Sequence, residues 1–174
     1  MTNIPANDFT PQTTPAIDVS ILHQPWEDAP FDAMNIIGNI ISEALASAAL
    51  PKNAAQKNIE VSVALVSDEI IQELNKEFRN KDKPTNVLSF EFDETTLPTD
   101  AADLPLGDIV LSYETILREA EEQEKKFEHH FTHITLHGFL HLLGYDHIDD
   151  KDAETMEAKE IEILKGLGIE NPYL

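Results

Sequence analysis

Three histidines within eleven residues, with a glycine between the last two, set the tightest limit on how this chain can fold. Residues 137–147 read His-Gly-Phe-Leu-His-Leu-Leu-Gly-Tyr-Asp-His. On a helix, His137 and His141 are about 400° apart in rotation and about 6 Å apart in rise, so both rings share a face and reach one metal ion. An unbroken helix would carry His147 roughly 240° round from His141, onto the wrong side. The helix must therefore end between them. Gly144 stands where a left-handed residue closes a helix and reverses the chain. Tyr145 and Asp146 then return His147 to the same point. The alternative is a His-rich surface helix without a ligand. Among only seven histidines, three at these offsets with the glycine between them weigh against it. Leu136, Phe139, Leu140 and Leu143 supply the opposite, packing face.

The chain has no cysteine. A disulfide scaffold, a thiolate nucleophile and every Cys-containing zinc site are excluded, so a metal must be held by imidazoles and carboxylates. Three His ligands leave a fourth tetrahedral corner for water, the catalytic rather than the structural pattern. An ion so held lowers the pKa of water to about 7 and polarises a phosphoryl or carbonyl oxygen. One Zn2+ per chain suits this donor set best, although nickel or copper binds the same ligands. The spacing equals that of the metzincin proteases, His-Glu-x-x-His-x-x-Gly-x-x-His. The protease base Glu, however, is replaced by Gly138. The cage is kept and the peptide-cleaving group is absent, which points to a hydrolase acting on another bond.

A basic segment offers the other half of such a site. Lysines and arginines number twelve against 33 acidic residues, for a net charge of −21. Yet Lys76, Arg79, Lys81 and Lys83 fall close together. The lysines alone read as a solvated turn. Arg79 is one of two arginines, and its planar fork suits phosphate. Beside a metal-bound phosphodiester it would stabilise developing charge as the catalytic arginine. The overall acidity excludes a general basic nucleic-acid coat, but not an enzyme with one local positive cleft. His133 shares the face of His137, for either partial burial or substrate contact. Asp146 either orients a ligand imidazole or caps its turn. Lys81 and Lys83 join them as candidate substrate contacts. His129 and His130 are expected to face solvent, and Asp149, Asp150 and Asp152 to stabilise the start of the last helix.

The pattern along the chain predicts a loose tail over 1–15 and a single domain over 16–174. Strands are expected over 16–22, 59–65, 85–92 and 107–112, with an acidic, Pro-containing loop over 93–105. Helices are expected over 31–49 (Met34, Ile37, Ile41, Leu45 and Ala48 inward, Pro51 ending it), after Ser67 (Ile70, Ile71, Leu74 and Phe78 inward), and over 113–126, 129–143 and 150–167, the last closed by Gly166 and Gly168. The fold class is α+β, a roughly four-stranded mixed sheet packed with about five helices around a zincin-like metal site. With no basic-plus-apolar leader and no apolar run of about 18 residues, a soluble cytoplasmic protein away from membranes is expected.

Residues 137–147, the segment Leu74 to Phe90 (LNKEFRNKDKPTNVLSF) and Leu106 to Val110 (LGDIV) together resemble the YbeY family, zinc-dependent endoribonucleases of ribosomal RNA maturation. The resemblance runs from about Ile59 to Tyr173. It implies His137, His141 and His147 as zinc ligands and Arg79 as the family's required arginine. Asn86 stands where many members have Asp. The resemblance further implies a single-strand-specific endoribonuclease acting on 16S rRNA 3′ ends and in ribosome quality control. Its partners would be the 30S and 70S ribosome and assembly proteins. The alternatives are a zinc metallopeptidase-like hydrolase and a non-catalytic assembly factor stapled by its metal.

Overall fold

Alternating residues build the sheet that carries the site. The computed structural model describes residues 14–48, 50, 54 and 57–174. Among these are four strands, β1 (Ala16–Ile21), β2 (Asn58–Val66), β3 (Val87–Glu91) and β4 (Asp103–Ser112), in the spatial order β1-β2-β4-β3. β1, β2 and β4 are parallel, and β3 runs antiparallel to β4 at the edge. Five helices accompany them: α1 (Ala33–Ser47), α2 (Asp68–Arg79), α3 (Tyr113–Glu122), α4 (Phe127–Leu142) and α5 (Asp150–Gly166). This is the α+β mixed sheet expected. Residues 1–13 of the proposed tail, and Pro51, lie outside the described residues. No helix among the described residues is long and apolar enough to cross a membrane.

The two faces of the sheet have different covers. Ile59, Val61, Val63 and Leu65 of β2 point into the main core with Ile37 and Ile41 of α1, Phe139 and Leu140 of α4, and Ile163 of α5. Val66, Leu88 and Val110 point the other way, against Ile71 of α2. Trp26, buried among Tyr113 and Phe131, donates its indole N–H to Val66 O at 3.0 Å and pins the end of β2.

Several expectations change in detail. β4 begins at Asp103, inside the predicted loop, because Leu104 and Leu106 are buried in the main core. A bulge follows: Glu60 pairs with Pro105 and Val61 with Gly107, so Leu106 is the extra residue. One inserted residue flips the side-chain parity, which lets Leu104, Leu106, Ile109 and Leu111 all reach one core. Gly107 sits at this shift with φ +137°, and a Cβ there would lie 2.0 Å from Phe90 O. Met34 is exposed, on the outward side of the first turn of α1. Phe78 is 51% exposed, on the last turn of α2, where it meets Phe90 edge-to-face. Gly166 is the last residue of α5, and Gly168, at φ +76°, makes the reversal. Ser67 caps α2 by accepting from Ile70 N–H, and Asp149 caps α5 by accepting from Asp152 N–H.

Candidate metal centre

α4 can press close to the sheet because residue 138 has no side chain. Ser89 Oγ of β3 donates to Gly138 O at 2.8 Å. A Cβ at 138 would meet Val87 Cγ2 at 2.8 Å and Ile109 Cγ2 at 3.2 Å. The position that holds the base in the metzincins is therefore packed against β3 and β4, and a side chain there would have to push aside those of Val87, Ser89 and Ile109.

The end of α4 closes as the glycine predicts. Gly144 has φ +90°; its N–H donates to His141 O at 3.0 Å, and Tyr145 N–H donates back to Leu140 O at 3.0 Å. This pair of bonds reverses the chain after the helix. Asp146 Oδ1 then accepts His147 N–H at 2.7 Å, which makes Asp146 a capper of the turn. The outcome is convergence: one ring nitrogen from each of His137, His141 and His147 lies within 4.8 Å of the others. Nε2 of His137 and Nε2 of His141 are 3.1 Å apart. Two ligands of a tetrahedral zinc, at bonds of about 2.0 Å, lie about 3.3 Å apart. Among the described residues no fourth imidazole or carboxylate joins the three.

The protonation states suit a cation. Glu160 of α5, with a fully buried side chain, accepts from His137 Nδ1 at 2.6 Å. An ionised carboxylate only accepts, so His137 carries a proton on Nδ1, and its Nε2 faces His141. Burial alone would raise the Glu160 pKa. Hydrogen bonds from His133, His137 and Tyr173 outweigh it and bring the carboxyl down to about 2. The charge is thus kept inside the protein, where an unpartnered carboxylate would cost several kcal/mol. Burial, followed by the charges of His137 and His147, pushes His141 below the usual imidazole value. A neutral imidazole is the form that binds metal. The donor set fits a divalent ion.

The rings open on a cleft of about 750 Å³, and every candidate from the sequence lines it: Arg79, Lys81, Lys83, His133, His137, His141, Asp146 and His147. The basic segment is held there by its own turn. Asn80 takes a left-handed conformation, Lys81 N–H donates to Asn75 O at 3.1 Å, and the buried Asn75 side chain donates to Lys83 O at 2.8 Å. Lys76 turns away to Asp82 at 2.8 Å. Arg79 donates through Nη2 to Ser89 O at 3.1 Å, with its guanidinium carbon 5.4 Å from the centre of the Phe90 ring. His133 is largely buried, with Nε2 3.5 Å from Glu160 Oε2, and it reaches the cleft wall.

Some expectations fail here, and some residues escaped notice. His130 does not face solvent; it is 3% exposed, with Nε2 2.8 Å from Glu119 Oε2. Glu119 in turn accepts from Asn86 Nδ2, and these bonds hold it below the ordinary Glu value against the opposing effect of burial. Glu160 and Tyr173 were not singled out. A sign of Glu160 was available: it shares an apolar stripe with Met156, Ile163 and Leu164, where a carboxylate needs partners.

Comparison with known proteins agrees. The family model described as endoribonuclease YbeY matches residues 27–168. A protein of Bradyrhizobium sp. named endoribonuclease YbeY is 47% identical over 161 residues, covering 91% of this chain and 92% of its own. A Francisella philomiragia protein of the same name is 56% identical over 116 residues, covering 66% of this chain and 73% of its own. The solution structure of TM1509 from Thermotoga maritima superposes with a TM-score of 0.53 at 25% identity, over 87% of this chain and 91% of that one. The histidine cage, the glycine-tight helix and a sequence match running from before α1 to beyond α5 lead to one assignment: the chain belongs to the endoribonuclease YbeY family.

Proposed function

We propose that this chain is a metal-dependent endoribonuclease that binds single-stranded RNA in the cleft. One observation carries the reading: three imidazole nitrogens converge on the cleft that Arg79, Lys81 and Lys83 line. His137, His141 and His147 would hold one Zn2+, whose chemistry is to polarise a phosphoryl oxygen and acidify water. Arg79 is the catalytic arginine. Its bond to Ser89 O and the Phe90 ring beside it fix the guanidinium, and its remaining N–H groups are free to meet a phosphate oxygen as charge develops. Lys81 and Lys83, both exposed, attract the RNA backbone locally despite the net charge of −21. His133 and Asp146 bound the space for the substrate. Gly138 leaves no room for a protease base and speaks against peptide cleavage. Family membership extends the reading to ribosomal RNA maturation in the cytoplasm, including the 16S 3′ end and ribosome quality control, with the 30S and 70S ribosome and assembly proteins as partners. The catalytic domain spans 16–174, and the tail 1–15 stands outside it.

Incubating the pure protein with end-labelled single-stranded RNA tests this. Cleavage should stop with a chelator and return with Zn2+. Arg79→Ala should lower it by about 10²-fold, the usual cost of losing one group that stabilises transition-state charge. Cleavage that survives chelation and is indifferent to Arg79 would overturn the reading.

A further inference from the structure

Tyr173 has no part in the function proposed above, yet its position bears on the metal centre. Its hydroxyl donates to Oε2 of Glu160, while Oε1 of the same carboxylate accepts from His137 Nδ1 at 2.6 Å. The segment after α5 is anchored to reach this point. Lys125 Nζ donates to Pro172 O at 2.5 Å, and Tyr173 N–H donates to Asn171 Oδ1 at 2.9 Å. His133 packs edge-on to the tyrosine ring, with centroids 5.5 Å apart. Tyr173 is 44% exposed and forms part of the cleft wall, whereas the carboxylate it holds is fully buried.

We propose that Tyr173 is a positioning residue of the metal centre: by gripping Glu160 it fixes the tautomer and orientation of His137, and so sets metal affinity. The inference rests on the metal-centre reading above. The terminal torsion of a glutamate is broad, so α5 by itself does not fix the plane of the Glu160 carboxylate. Donors on both oxygens do. Groups that orient a ligand histidine in this way typically change metal affinity by about 10–100-fold.

Tyr173→Phe removes the hydroxyl and keeps the ring. Zn2+ affinity, measured by competition with a chromophoric chelator, should weaken by about tenfold or more in this variant. Thermal unfolding of the metal-free form should change by only a few degrees. In metal-free wild type, ring 15N NMR should show His137 as a single Nδ1–H tautomer, and in Tyr173→Phe a mixture. Lys125→Met, which frees Pro172, should weaken Zn2+ in the same direction but less. Unchanged affinity and an unchanged tautomer in Tyr173→Phe overturn the proposal. His137→Ala separates the two readings: if it binds Zn2+ as well as wild type, the metal centre itself is wrong. If it loses Zn2+ while Tyr173→Phe does not, only the role of Tyr173 fails.

Discussion

Two histidine–carboxylate pairs sit on one side of α4, two turns apart, and they do different work. His130 meets Glu119 at 2.8 Å and His137 meets Glu160 at 2.6 Å. Both carboxylates are held below their ordinary values by hydrogen bonds that outweigh burial. They differ in the second ring nitrogen. Nδ1 of His130 is buried and has no hydrogen-bond partner among the described residues, and Glu119 also accepts from Asn86. Nε2 of His137 faces His141 across 3.1 Å, on an open cleft. A buried imidazole–carboxylate pair is therefore no sign of a site by itself; what distinguishes the site is where the other nitrogen points.

The largest contrast should come from the rings themselves. His137→Ala and His141→Ala should lose the bound metal and lower RNA cleavage by about 10³-fold or more, the scale expected when several kcal/mol of metal-ion catalysis disappears. His130→Ala should keep both its metal and its chemistry in whatever fraction remains folded. Metal analysis and cleavage of the same preparations decide this, and loss of metal in His130→Ala would erase the distinction.

The carboxylates should differ less, but in opposite columns. Glu160→Gln should weaken Zn2+ by about 10–100-fold, whereas Glu119→Gln should leave the affinity nearly unchanged. Glu119→Gln should instead lower unfolding stability by about 1–3 kcal/mol in denaturant titration, because it leaves His130 poorly partnered in the interior. Gly138→Glu sharpens the point from the side of the sheet. It should confer no peptidase activity and should cost about 1–3 kcal/mol of stability, since its Cβ alone collides with Val87.

The smallest effect is in pH. A carboxyl whose native pKa lies below its unfolded value stabilises the fold above that unfolded value, 4.5 for Glu119, and loses this contribution as pH falls through the lower native value. Glu119→Gln should therefore be less stable than wild type at neutral pH, with the gap closing on acidification below about 4.5. Unfolding curves at a series of pH values will show a constant gap if the pair contributes nothing through its charge.

Local pattern made much of this legible and distance hid the rest. The end of α4 was readable because Gly144 and the three histidines all lie within one turn and a bend of one another. β2 was readable because Ile59, Val61, Val63 and Leu65 alternate without interruption. The start of β4 was not, because the bulge beside Gly107 breaks the alternation between Leu104–Leu106 and Ile109–Leu111, and Pro105 with its acidic neighbours reads as loop. His130 misled for a different reason: its partner Glu119 lies on another helix, and nothing in the sequence ties the two together. Tyr173, and the partners that the stripe of α5 demands for Glu160, were hidden in the same way. The link of Glu160 and Tyr173 to His137 crosses from α5 and the segment beyond it to α4, and it exists only once the chain is folded.

The most direct measurement is a titration of metal-free protein with Zn2+ while RNA cleavage is followed. Cleavage should rise from background and level off at one equivalent per chain, and His141→Ala should stay at background throughout. Full cleavage by the metal-free protein, or an equal rise in His141→Ala, would contradict a centre built on His137, His141 and His147.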